Sequence, residues 1–189
     1  MQREVGSSNI SPMARRPNHY LLVVGNREAL EWVLREQRMA FPPERNRLSA
    51  SLDSPDRLLL YTTRGCFNNP GRDRGRIIGA AVVMSATYAL ESPINFGGRS
   101  FTTGCDIEIS HLAPFGEGPE LAPLVPGLES VPNSWATFMR RALAPISGSD
   151  YQMLFEKLHG TSSHPEHARA SYLALAKPTT KVNREPDAL

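Results

Sequence analysis

The chain has 189 residues, 40% of them hydrophobic and 21% charged, and carries a formal net charge of +2 at pH 7. That balance suits one domain with a sizeable core plus tails, and there is no run of about 18 apolar residues to span a membrane. The first eighteen residues contain no apolar signal core, so a cytoplasmic protein is expected.

Residues 1–17 mix Ser, Asn, Pro, Gly and Arg without periodicity and read as a disordered leader. His19 to Asn26 is a continuous apolar run, the pattern of a buried strand. Asn26 suits a helix N-cap, with Glu28 in the first turn and Leu30, Val33 and Leu34 at helical spacing behind it. That helix must stop before Pro42, and Pro43 can open a second short helix with Leu48 and Leu52 facing inward.

After the Ser54-Pro55-Asp56 turn, Arg57 to Thr63 is a second strand. Arg64 to Gly75 (RGCFNNPGRDRG) is a polar loop built on NNPG turn chemistry. Arg76 to Thr87 is the next central strand, and Gly79 inside it suggests a bulge or a close backbone approach. Tyr88 to Gly98 reads as irregular. Ser100 to His111 alternates as a half-exposed strand. A proline-rich crossing leads to a short helix from Trp135 to Leu143, and Ser149-Asp-Tyr-Gln152 has the spacing of a capping box for a helix ending near Gly160. Residues 161–189 read as a tail with one short helix around Ala168 to Ala176. The domain is therefore expected over residues 18–160. Its order of elements predicts an α+β fold in which helices pack on a pocket-bearing β-barrel.

Charge is unevenly spread. Residues 14–76 hold twelve Arg and no Lys against seven acids, a local balance of +5, whereas residues 77–130 hold one Arg against six acids, −5. Arginine's planar fork matches phosphate and base edges, so the basic half permits a nucleic-acid partner without demanding one. Cys66 and Cys105 form no CxxC pair and are expected to be free, inert thiols. His159, His164 and His167 lie close in sequence, but no carboxylate or cysteine stands at firm spacing beside them, and a solvated tail is the expected reading.

Four segments together resemble the EVE domain family, in the PUA-like superfamily that also holds YTH and ASCH domains. They are the strand ending in Gly25-Asn26, the turn FPPERNR (Phe41 to Arg47), the strand pair RLLLYTT and GRIIGAAVV, and the finish RRALAPISGSDYQMLFEKL (Arg140 to Leu158). The resemblance covers about Asn18 to Leu158. It implies a PUA-like mixed β-barrel of five or six strands with flanking helices, whose pocket admits one flipped, often modified, nucleobase of DNA or RNA, with no cofactor and no chemistry on the base. The family commonly places Trp before the Arg-Asn pair, where this chain has Met39, Ala40 and Phe41. Phe41 either supplies the wall or leaves the cage weaker.

The candidate base pocket comprises Asn26, Met39, Phe41, Tyr61, Thr63 and Phe101. Asn26 donates and accepts at once, as a base edge requires, and serves equally as a helix cap. Tyr61 and Thr63 alternate on one side of their strand and face either the pocket or the core. Backbone phosphate is assigned to Arg45, Asn46, Arg64, Arg72, Arg74, Arg76 and Arg99, which read otherwise as solvated charge.

Two other classes remain. An ASCH-like nucleoside-processing enzyme would need a catalytic lysine, and none precedes Lys157; Thr63, Glu108 and His111 could form an acid-base set, although nothing in their spacing demands it. No GxSxG, Walker or GxGxxG motif is present. A protein-interaction module would show the space among Asn26, Phe41 and Tyr61 closed, whereas a base reader would show it open.

Overall fold

The computed structural model describes residues 15–43, 48–132, 134–162 and 165–174. Seven strands pair into a mixed sheet that curls into a half-barrel. They are β1 (His19–Val24), β2 (Arg38–Phe41), β3 (Arg57–Thr62), β4 (Arg76–Val83), β5 (Tyr88–Phe96), β6 (Arg99–Leu112) and β7 (Leu143–Ile146). Four helices accompany them: α1 (Arg27–Glu36), α2 (Trp135–Phe138), α3 (Gly148–His159) and α4 (Pro165–Leu173). The strand order is β2-β6-β4-β3-β1-β7, with β5 added to β6. β1 and β3 run parallel, and the other pairs are antiparallel.

The apolar runs of β1 and β3 are explained by burial on both faces. Tyr20, Leu22, Val24, Leu58 and Leu60 face one core with Leu30, Val33 and Leu34 of α1 and Ala168 and Tyr172 of α4. Leu21, Leu59 and Tyr61 face a second core with Tyr151, Leu154 and Leu158 of α3. Alternation along the strands thus divides successive residues between two packed layers. Helix α1 begins at Asn26, whose Oδ1 accepts from the Glu28 and Ala29 amides at 2.7 and 3.2 Å. It ends at Gln37, left-handed at φ 50°, whose side-chain oxygen accepts from the Ile109 amide at 3.1 Å and so ties the helix end to β6.

Several elements differ from those expected. Tyr88–Phe96 is a strand rather than irregular chain; it is an edge whose register breaks between Ala89 and Ile94, around Pro93, and this masks the alternation. The helix expected over residues 135–143 ends at Phe138, and Leu143–Ile146 pairs with β1 instead. The segment after Pro43 forms, among the described residues, one 3₁₀ turn at Ser49–Ser51. The cap of α3 is Ser147, whose Oγ accepts from the Asp150 amide at 3.1 Å, while Ser149 bonds Ser147 and Glu129. Beyond residue 160, where a tail is expected, α4 folds back onto β6 and α1 and buries Tyr172 in the core. No helix among the described residues is long and apolar enough to cross a membrane.

Candidate functional site

Strands β1 and β3 are parallel, so their carboxyl ends lie together, and α1 starts at the same end. Beside that end an open cavity of about 410 Å³ is bounded by Arg27 of α1, Thr62 of β3, and Arg76 and Ile78 of β4. The carboxyl ends of parallel strands are where open α/β sheets commonly place ligands.

The loop from Arg64 to Gly75 forms the second wall and contributes Phe67, Asn69, Arg72, Asp73 and Arg74. Its shape is set by its own bonds. The Arg72 and Asp73 amides donate to the Asn69 carbonyl at 3.0 and 2.7 Å, the Asn69 amide donates to Asp73 Oδ2 at 3.2 Å, and Arg64 donates to the Pro70 carbonyl at 2.9 Å. Gly75 closes the loop against the Tyr61 ring; a Cβ there would stand 2.3 Å from the Tyr61 hydroxyl. This glycine is needed for that close approach.

The third wall is aromatic. Phe67 and Phe115 meet edge to face at 4.9 Å, and Tyr172 of α4 stacks near Phe67 at 6.4 Å and meets Phe115 edge-on at 5.8 Å. Tyr172 donates to the Ala113 carbonyl at 3.0 Å, and Ser171 Oγ accepts from the Phe115 amide at 3.2 Å, so α4 holds the loop after β6 in place. Phe115 remains 40% exposed despite these contacts. A large aromatic left open beside cations is a surface suited to stacking.

Four arginines face one carboxylate here. Arg76 is occupied: it donates to the Gly118 carbonyl at 2.6 Å and pairs with Glu120 at 3.0 Å. Among the described residues Arg27, Arg72 and Arg74 make no ion pair, and the Nε of Arg27 is buried with no hydrogen-bond partner. A buried donor left unpaired is costly, so it marks a place where an acceptor is wanted. Burial pushes the Cys66 thiol up to about 12, helped by Asp73 and opposed by Arg27. Burial likewise raises the Tyr172 phenol. Cys66 lies in the core behind the cavity, Tyr172 lines it as a neutral phenol, and the charge there is that of four arginines and Asp73.

The structure separates the residues expected to form the base pocket. Met39 and Phe41 are buried in the core on the α1 side, and Tyr61 in the core on the α3 side. None of the three lines the cavity beside β3, because alternation on that strand turns Tyr61 away and presents Thr62 instead. Asn26 uses its side-chain oxygen as the cap of α1. Thr63 lies just past β3, where its Oγ1 stands 3.5 Å from the position a Gly25 Cβ would take. Phe101 packs on Phe96 at 5.5 Å, which in turn meets Trp32 at 5.9 Å, an aromatic strip on α1 and the β5–β6 hairpin.

Of the phosphate candidates, Arg72, Arg74 and Arg76 line the cavity. Arg64 braces the loop from outside. Arg99 opens β6 at the hairpin end, where it pairs with Phe96. Arg45 and Asn46 lie outside the described residues. The acid-base set is not assembled: Thr63 follows one end of β3, while Glu108 pairs with Val82, itself opposite Arg57 at the other end. Six residues of strand put them about 20 Å apart. His111 instead meets Phe155 and His159 of α3 edge to face. No group of three or more potential metal ligands occurs among the described residues; His164 is outside them.

Sequence reasoning missed Arg27, Thr62, Phe67, Phe115 and Tyr172. One signal was available, since Phe67 is the lone large apolar residue in an otherwise polar loop. The others needed the fold.

No family model matches the chain. No curated protein matches it. Among solved structures, the chain is similar to the NMR structure of Rpa0253 from Rhodopseudomonas palustris, with 13% sequence identity and a TM-score of 0.49 over 75% of this chain and 93% of that chain.

Proposed function

We propose that this protein is a non-catalytic nucleic-acid-binding domain of PUA-like type, acting in the cytoplasm. It takes one splayed, modified nucleobase of DNA or RNA into the cavity between α1, the 64–75 loop and α4. The observation that carries the proposal is the pairing of three arginines that make no ion pair among the described residues with an open aromatic wall in one cavity. In this reading the base stacks on Phe115 and Phe67, Thr62 and Asn69 meet its polar edge, and Arg27, Arg72 and Arg74 hold phosphate. A few kcal/mol is needed to take a base from its stack, and aromatic stacking returns about 1–3 kcal/mol per base. The resemblance to EVE domains supports the ligand class, with the aromatic wall supplied by Phe115 and Phe67 instead of Phe41 and Tyr61.

A second reading, a protein-interaction module, is favoured by one observation. Phe41 and Tyr61, expected to wall an open pocket with Asn26, are each buried in a packed core. Fluorescence anisotropy separates the two readings. Labelled single- and double-stranded DNA and RNA would carry cytosine, 5-methylcytosine, 5-hydroxymethylcytosine or N6-methyladenine at one position. The wild type is expected to prefer one base, and Phe115→Ala to weaken binding about tenfold. Phe115 is exposed, so the variant should stay folded. Wild-type affinity in both Phe115→Ala and Arg74→Ala would remove the cavity from consideration.

A further inference from the structure

The charge held in the cavity exceeds what an internal strand phosphate can match. Arg27, Arg72, Arg74 and Arg76 face Asp73. Arg76 is neutralised by Glu120 at 3.0 Å, and Asp73 offsets one more cation. An excess of about two positive charges is left, with the Arg27 Nε buried and unpaired. A phosphodiester in a strand carries one negative charge, whereas a phosphomonoester carries about −1.5 to −2 at pH 7, with three strong acceptor oxygens. Arginine forks match those oxygens bidentately.

We infer that the cavity selects a nucleotide bearing a terminal phosphomonoester: a phosphorylated strand end or a free mononucleotide. The inference rests on the reading that this cavity holds a nucleotide and names which nucleotide it is. A cavity of about 410 Å³, open on one side, has room for one nucleotide unit rather than a continuous duplex. An end nucleotide also leaves its stack at less cost than an internal base, which must unpair and unstack on both sides. Phosphate against the three arginines then places the attached base toward Phe115 and Phe67, which line the same cavity.

The test uses the full chain and one oligonucleotide sequence, as DNA and as RNA, prepared with a 5′-phosphate, with a 3′-phosphate and with neither, labelled at the opposite end. One phosphorylated form is expected to bind about tenfold more tightly than the unphosphorylated strand, and Arg72→Gln and Arg74→Gln are expected to abolish that difference. Both arginines lie on an exposed loop without side-chain partners among the described residues, so these variants should keep the wild-type melting curve. Competition by a mononucleotide at similar concentration identifies the free nucleotide as the source, and its failure to compete identifies the strand end. Equal affinity for phosphorylated and unphosphorylated strands, still sensitive to Arg74→Gln, would overturn the selectivity while leaving the cavity as the binding site. No binding of any strand or nucleotide would overturn both.

Discussion

Asp150 shows how one buried carboxylate organises a corner of this fold. It is 1% exposed and accepts from the Glu129 amide at 2.9 Å, the Ser130 amide at 2.8 Å and the Ser130 hydroxyl. Burial opposes its ionisation, but the hydrogen bonds from Ser130, Glu129 and Ser147 outweigh it and hold the carboxyl below its ordinary value. A carboxyl lowered in the folded state stabilises the protein above its unfolded value, and that contribution is lost as pH falls through the folded one. Stability should therefore decline below about pH 4. Asp150→Asn keeps the shape but turns an amide toward donors, and should cost about 2 kcal/mol at pH 7. Urea melts at pH 7, 4 and 2 check both points. If the variant and the wild type lost stability in parallel between pH 4 and 2, Asp150 would not be the group responsible.

At the scale of elements, α4 is where chain order misleads most. Its sequence, PEHARASYL, carries a weak apolar stripe and follows a polar stretch, so it reads as part of a tail. Its contribution rests on two residues one helical turn apart, Ala168 and Tyr172, and on a bond to Ala113 that is 59 residues distant in sequence. By contrast, α1 and α3 were legible because each carries a fuller apolar face and a polar cap within one contiguous segment. The edge strands β5 and β7 were not, since Pro93 and Pro145 interrupt their patterns and their pairing partners lie far along the chain. If α4 belongs to the core, Tyr172→Ala should destabilise by about 3–5 kcal/mol, as aromatic truncations in packed interiors do. Tyr172→Phe should cost about 1 kcal/mol, leaving the Ala113 carbonyl without its donor. Denaturant titration of both variants measures this. A Tyr172→Ala change under about 0.5 kcal/mol, the size of an ordinary surface substitution, would make α4 the dispensable tail its sequence suggests.

Across the whole molecule, what the sequence showed of the candidate site was its arginines and not its walls. Arg72, Arg74 and Arg76 were legible because three arginines within five positions on a glycine-bearing loop is a local pattern. Phe115 and Tyr172 were not, since they converge only when the loop after β6 and the helix after residue 164 meet at one end of the sheet. The same distinction yields a measurement. If the basic half of the chain bound nucleic acid as a diffuse surface, its twelve arginines would release counterions together, and the log–log dependence of affinity on salt would approach a slope of about −8 for a single strand. A built site using only Arg27, Arg72 and Arg74 predicts a slope no steeper than about −2, the value if each arginine met its own phosphate at about 0.7 each, and shallower where the three share one phosphate. Arg74→Gln should then lower the slope's magnitude by up to about 0.7, whereas Arg57→Gln, at the far end of β3, should leave it unchanged. Anisotropy titrations over a range of salt concentrations resolve slopes this far apart. A steep slope that falls equally for either variant would assign binding to the general charge of residues 14–76 and leave the cavity without a nucleic-acid role.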